Sequence, residues 1–345
     1  MPLEFMDRVS AQFRKRLPFV VYKKPKQPQI TALFQSDKKL HSVQNFTETG
    51  FVMAAFGWEP TLLLQIDEKH ETQFDLKFFP NRIKRKEVHE NIVQKRLHLD
   101  LVRRSLVCIK EGDFQKVVLS RKIEVDFGKN PLELFQNLLP NYPNAFCYLW
   151  FHPKTGLWIG ATPEILLRVK NKVFTTISLA GTQPYKGRDQ ILWGKKELEE
   201  QNLVTDYILE VLKDKAANIQ KGEIESVRAG NLWHLRTKIS GVFLEEGLGP
   251  IIKFLHPTPA ICGFPKQPAL DFIHNNEDYD REFYTGFLGE LNFDSETNLY
   301  VNLRCAQIKG NKAMIYIGGG ITQDSDPERE WEETVAKSRT LLEFM

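Results

Sequence analysis

The chain has 345 residues, 42% of them hydrophobic and 26% charged, with a formal net charge of +3. That balance is ordinary for a globular protein in water and too mildly basic for a nucleic-acid binder. Cys108, Cys147, Cys262 and Cys305 are scattered without zinc or C-x-x-C spacing, so buried thiols in a reducing compartment are expected.

No apolar run reaches the ~18 residues that span a bilayer. Glu4, Asp7 and Arg8 interrupt any signal core, so a cytoplasmic protein without a membrane partner is expected. Residues 1–29 hold a short amphipathic segment and a polar turn. The Arg14-Lys15-Arg16 cluster reads as a solvated face because no aromatics interleave it. Short strand-like runs follow at Gly50–Phe56 and Thr61–Ile66, without readable chemistry. From Lys86 to Lys110, Ile92, Leu99, Val102, Leu106 and Ile109 recur at helical spacing, and Gly112 ends the helix. A β-branched run, Phe114–Arg121, comes next. Further strands are predicted at 145–151, 157–161, 164–169 and 173–179, the last two joined by a Lys170-Asn171-Lys172 turn. A helix is expected from Lys195 to Lys215 and a strand near 237–244. The stretch 299–308 is expected to pair with 312–317 across Lys309-Gly310-Asn311. Helices come in blocks, not in strict βαβ alternation, which predicts an α+β body of antiparallel sheets.

The last thirty residues carry the densest signal. The strand Ile315–Ile321 contains Gly318, Gly319 and Gly320, and an acidic helix follows. Ser325 and Glu328 have capping-box spacing, and Pro327 suits a first turn. Glu330, Glu333 and Lys337 share one stripe; Trp331, Val335, Ser338 and Leu342 form its neighbour. Glycines admit a ligand to the backbone, and two carboxylates one turn apart suit Mg²⁺. The same stripe equally describes a solvated face with a Glu333–Lys337 pair.

Other charges stand in apolar company. The Val204, Tyr207, Val211 stripe extends upward to Glu200 and then Glu197, where a buried carboxylate needs a cation. Lys116 lies within strand core, where its charged form is disfavoured and it can serve as a base. Glu164 begins the strand Ile165-Leu166-Leu167, and apolar neighbours would raise its pKa toward that of an acid catalyst. Arg304, read as mid-strand, suits two-point contact with a carboxylate. Each has a bland alternative: a helix turn emerging into water, a snorkelling lysine, a strand-end acid, a structural ion pair.

Taken in order, these stretches resemble the chorismate-utilising enzymes. They are Lys116–Arg121, Ile159–Glu164, Leu179-Ala180-Gly181-Thr182, Glu200 with Val204, Trp233-His234-Leu235, His256-Pro257-Thr258-Pro259-Ala260, Arg281–Gly286, Leu303–Ala306 and the tail. Each is weak alone; the ordered set, over residues 86–345, is specific. The resemblance implies a single chorismate-binding domain over 1–345, two β-sheets packed together with helices outside, of which 1–85 is a divergent N-terminal part. It implies that Lys116 activates water and Glu164 is the general acid. Glu200 with Glu333 or Glu330, supported by Glu197, would surround Mg²⁺. Arg304, Tyr284, Gly318, Gly320 and Lys337 would surround substrate carboxylates, and Gly181, Thr182, His234 and Ala260 the ring.

Ser178–Thr182, Lys116 and the His-Pro-Thr-Pro stretch point to the branch that isomerises chorismate to isochorismate, so no glutaminase subunit is expected. Salicylate-forming and amino-transferring relatives, or a catalytically silent chorismate binder, are the alternatives. Gly319 departs from the alanine of many relatives. Without heptads or large exposed apolar runs, a monomer is expected.

Overall fold

Most core strands bury consecutive residues, not alternate ones, because both of their faces are covered. The computed structural model describes residues 3–57, 59–74, 91–185, 187, 191–229, 232–244 and 247–345. Helix α1 (Leu3–Arg14) leads into β1 (Phe19–Lys23), β2 (Gln29–Phe34), β3 (His41–Ser42), β4 (Gly50–Ala54), β5 (Thr61–Leu64) and β6 (Glu68–Gln73). Then come α2 (Ile92–Glu111), β7 (Lys116–Asp126), α3 (Pro131–Asn141), β8 (Phe146–His152), β9 (Gly156–Thr162), β10 (Ile165–Lys170) and β11 (Val173–Pro184). The chain continues with α4 (Lys195–Leu212), β12 (Ala216–Ala229), β13 (Leu232–Phe243), α5 (Gly249–Leu255), β14 (Gly263–Phe264) and α6 (Lys266–Asn276). It ends with β15 (Phe287–Phe293), β16 (Glu296–Val301), β17 (Cys305–Lys309), β18 (Lys312–Thr322) and α7 (Pro327–Leu342).

The strands form two nine-stranded antiparallel sheets, ordered β14-β7-β18-β17-β9-β8-β1-β2-β6 and β12-β13-β11-β10-β16-β15-β4-β5-β3. Tyr148, Trp150 and Trp158 of the first meet Phe51, Met53 and Tyr300 of the second in one buried cluster. The outer face of the first sheet packs Val21, Leu149 and Ile159 under α1 and α3. That of the second packs Leu167, Phe174 and Ile239 under α4 and α5. The expected α+β sandwich, sheets inside and helices outside, is what the chain builds. Strands β1 and β4, from the stretch without motifs, sit inside these sheets against β8 and β15. Among the described residues no helix is long and apolar enough to cross a membrane.

Several local expectations are corrected. The proposed helix start at 86–90, and with it the boundary at residue 85, lies outside the described residues. The described helix is capped by Asn91, which accepts from Val93 N and Gln94 N. Asp326, not Ser325, caps α7, accepting from Arg329 N at 3.0 Å; Ser325 Oγ instead accepts from Thr322 N. The buried face of α4 is Gln201, Val204, Thr205, Ile208 and Leu212, which leaves Glu200 at its margin.

The stretch 299–308 is not one strand. It leaves the second sheet at Val301 and enters the first at Cys305, and Arg304 takes a left-handed φ of 49° at the crossing. A second crossing, Pro163-Glu164, joins β9 to β10 beside it. The two are laced together: Val301 N donates to Glu164 O (3.0 Å), Ala161 N to Arg304 O (3.1 Å) and Thr162 Oγ1 to Val301 O (2.6 Å). Glu164 and Arg304 are thus fixed side by side where the sheets part.

Candidate active site

The parted sheet ends open a cleft with about 690 Å³ of empty space, part of it continuous with solvent. Glu164 and Arg304 project from the crossings, and Glu200 from the second turn of α4. Gly181 and Thr182 contribute an irregular turn of β11, facing His234 of β13, and Ala260 follows α5. Tyr284, Gly318, Gly320, Glu333 and Lys337 complete the expected residues in its lining. Lys116 does not line the cleft. It is fully buried behind it, its Nζ 2.8 Å from Glu200 Oε1 but not angled as a hydrogen bond. The purely apolar surroundings expected for Lys116 are therefore corrected by one carboxylate. Glu330 and Glu197 line the adjoining outer cleft with Glu333.

The glycines explain how these groups fit. Strand β18 pairs with β7, placing Gly320 opposite Val118 and Gly318 opposite Ser120. A Cβ on Gly320 would lie 2.5 Å from Glu200 Oε1 and 2.9 Å from Lys116 Cε; one on Gly318 would lie 2.8 Å from Tyr284 Oη. Gly181, at φ +63°, lets β11 pass against the first turn of α4, where an added Cβ would meet Glu197 O at 3.0 Å. Glu197 itself accepts from Gly194 N at 2.9 Å, closing the start of α4.

Three carboxylates on the α4–α7 side each have a lysine partner. Glu200 meets Lys116, Glu333 meets Lys337 at 2.6 Å, and Glu330 meets Lys196. Lys337 Nζ also donates to Gly318 O at 3.0 Å. Burial pushes Glu200 up, but Lys116, Lys196 and Lys337 outweigh it and hold the carboxyl below its usual range. Glu330 is pushed up to about 7 by burial and by the Glu333 charge, against Lys196. On the opposite wall burial raises Glu164 to about 8, despite the pull of Lys116, Lys337 and Arg304. Burial, with Arg304 and Lys337 nearby, drives His234 well below its ordinary range, so its ring is neutral at pH 7. Its Nδ1 is 3.1 Å from Thr182 Oγ1, while Nε2 is buried without a partner. The cleft thus sets a carboxyl that keeps its proton at pH 7 and a neutral imidazole against three acid–lysine pairs.

The sequence model described as "Chorismate binding enzyme" matches residues 53–345. The chain belongs to the chorismate-binding enzymes. It is 32% identical over 254 residues to isochorismate synthase EntC of Escherichia coli K12, covering 70% of this chain and 65% of that one. Isochorismate synthase DhbC of Bacillus subtilis is 29% identical over 265 residues, 71% of this chain and 66% of its own. The chain therefore spans about two thirds of the length of these curated relatives. Among solved structures, DhbC of Bacillus anthracis superposes with a TM-score of 0.81 at 22% identity, covering 95% of this chain and 96% of that one. The menaquinone-specific isochorismate synthase MenF of Escherichia coli gives 0.77 at 21%, covering 94% and 88%. At such identities these two likenesses speak for the fold.

Some members of this site carry no sequence signal. Lys196 looks like any helix-surface lysine, yet it holds Glu330. Gln201 is fully buried beside Glu200: its Oε1 accepts from Ala180 N (2.9 Å) and its Nε2 donates to Thr237 Oγ1 (3.0 Å), pinning the Gly181 turn to α4. Only its place next to Glu200 could have drawn notice.

Proposed function

We propose that the chain is an isochorismate synthase, converting chorismate to isochorismate with Mg²⁺ as cofactor. The observation that carries the reading is Glu164, a carboxyl pushed up to about 8, sharing one cleft with Glu200, behind which the Lys116 amine lies 2.8 Å from the Glu200 carboxylate. An acid that keeps its proton at pH 7 beside a buried amine is the pairing that water-in, water-out chemistry needs. Lys116 takes the proton of the water that attacks C2, and Glu164 gives its proton to the hydroxyl leaving C4. His234 Nε2 hydrogen-bonds the ring's polar groups, its orientation held by Thr182. Arg304, Tyr284 and Lys337 receive the substrate's carboxylates.

The residues present fit a divalent cation. Glu330 Oε2 is buried without a hydrogen-bond partner, and both it and Glu333 Oε1, which accepts from Lys337, lie 3.6 Å from where Gly319 would carry a Cβ. No three His, Cys, Asp or Glu among the described residues close into a cage. Mg²⁺ needs none, since it commonly takes one or two carboxylates with water and substrate oxygens. Glu200 and Glu333 would hold it, with Glu330 and then Glu197 in support. Bound there, it would supply Lewis-acid polarisation of the ring carboxylate.

Purified protein, chorismate and Mg²⁺, without ammonia or a second subunit, should give isochorismate and no pyruvate, and a chelator should stop turnover. Salicylate with pyruvate would assign the salicylate-forming reaction instead. No product at all would leave a silent binder.

A further inference from the structure

Three carboxylates converge where α4 meets α7, each with an ammonium beside it. Lys116 and Lys337 have tasks in the reading above; Lys196 has none. Its Nζ contacts Glu330 Oε1, and Glu333 and Glu200 also act on its charge. The two partners differ sharply in exposure, 23% for the Lys196 side chain and 2% for that of Glu330. One oxygen of Glu330 is therefore neutralised from the solvent side. The other is orphaned and buried, on the Gly319 side that it shares with Glu333 Oε1.

We propose that Lys196 is a resident counter-ion of the metal site, whose ammonium neutralises the Glu330–Glu333–Glu200 cluster and competes with the divalent cation, thereby setting the cation's affinity. The proposal rests on the Mg²⁺ reading of these carboxylates. Its physical basis is repulsion: a positive charge a few ångströms from a divalent ion, partly shielded from water, opposes that ion by more than thermal energy. An empty cluster of three acids would in turn repel itself, and the lysine relieves that repulsion. Lys196 also has room to yield. It sits in the first turn of α4 on a flexible stem, and Asp324, Asp326 and Glu332 line the same outer cleft as alternative partners.

The test is cation affinity without substrate, by calorimetry with Mg²⁺ and by the paramagnetic resonance of free Mn²⁺. Lys196→Met should bind about tenfold more tightly than wild type, about 1.4 kcal/mol. Lys196→Arg, which keeps the charge, should stay within about twofold of wild type. Unchanged or weaker binding by a folded Lys196→Met protein overturns the proposal, since a merely structural lysine would loosen the site. If that variant does not fold, Lys196→Gln removes the charge from a polar side chain and is read by the same outcomes. Glu333→Gln separates the two levels. If it abolishes cation binding, the metal reading stands and Lys196 is judged alone; if binding is untouched, the metal reading itself fails and the proposal with it.

Discussion

Two buried ionic groups meet strand β7 within a few residues of each other, and they are built to opposite standards. The Arg281–Glu277 pair, each side chain 2% exposed, is satisfied throughout. Glu277 accepts from Arg281 Nε and Nη2 and from Ser120 N and Oγ, while Arg281 also donates to Ile261 O and Val118 O. Two residues before Val118, Lys116 meets Glu200 without a well-angled hydrogen bond; across the cleft Glu330 Oε2 and His234 Nε2 have no partner. Buried polar groups left unmade are expensive, so those on ionisable side chains around the cleft mark bonds kept for something that arrives later. The satisfied pair holds the strand; the unsatisfied group acts from it.

The contrast is sharpest if activity and stability can be made to separate. Glu164→Gln should lower turnover of chorismate about 10²–10⁴-fold, measured by product formation, with the fold intact. Its effect on stability should have the opposite sign. The folded pKa, near 8, lies above the ordinary 4.5, so between those values the unfolded state binds fewer protons than the native one. The contribution of Glu164 to stability therefore falls as pH rises from about 4.5 to about 8, and Gln removes that part of the slope. In denaturant titrations at pH 8 the variant should be the more stable protein, by roughly 2–4 kcal/mol. An equal loss of activity and stability would erase the distinction. In the wild type, turnover should decline as pH rises through about 8, as Glu164 loses the proton it donates.

The reverse pattern is expected of the satisfied pair. Arg281→Met leaves Glu277 buried without its cation and should cost about 3–5 kcal/mol of unfolding free energy. Replacing both partners with apolar residues should recover much of that loss, because the desolvated charge goes with its partner. If Arg281→Met instead abolished turnover without lowering stability, Arg281 would belong to the working group.

How far the sequence reached follows the same division. Lys116, Glu164 and Glu200 were legible because a charge inside an apolar run contradicts its surroundings, the tail glutamates because they share one helical stripe after three glycines, and all came in a recognisable order. Arg304 was found but misplaced: apolar residues continue through Leu303-Arg304-Cys305, and no glycine announces the left-handed turn that carries the chain between sheets. The edges of the sandwich were harder. In β1 every residue is buried, so the period-two alternation that reveals a half-buried strand is absent. Lys196 and Gln201 stayed hidden for the opposite reason, since polar residues on a helix look solvated until another element is packed over them.

The glycine strand offers the finest cut between the two kinds of surroundings. Gly320→Ala would force a methyl to within 2.5 Å of Glu200 Oε1 and 2.9 Å of Lys116 Cε, and neither can retreat far. Turnover should fall roughly 10²-fold, the scale set by ~1 Å displacements of catalytic groups. Gly319→Ala meets only Glu330 Oε2 and Glu333 Oε1, both at 3.6 Å, which is ordinary van der Waals contact. Its φ is not in the positive range, so alanine brings no backbone strain and lowers the freedom of the unfolded chain. The variant should therefore be up to about 1 kcal/mol more stable, with turnover changed less than about threefold. Because its methyl only touches the two carboxylate oxygens at ordinary contact distance, any larger loss would mean that the carboxylates, or what they hold, must come closer to β18 during the reaction. A comparison of Mn²⁺ affinity in the two alanine variants would locate that movement: lost at Gly320, retained at Gly319.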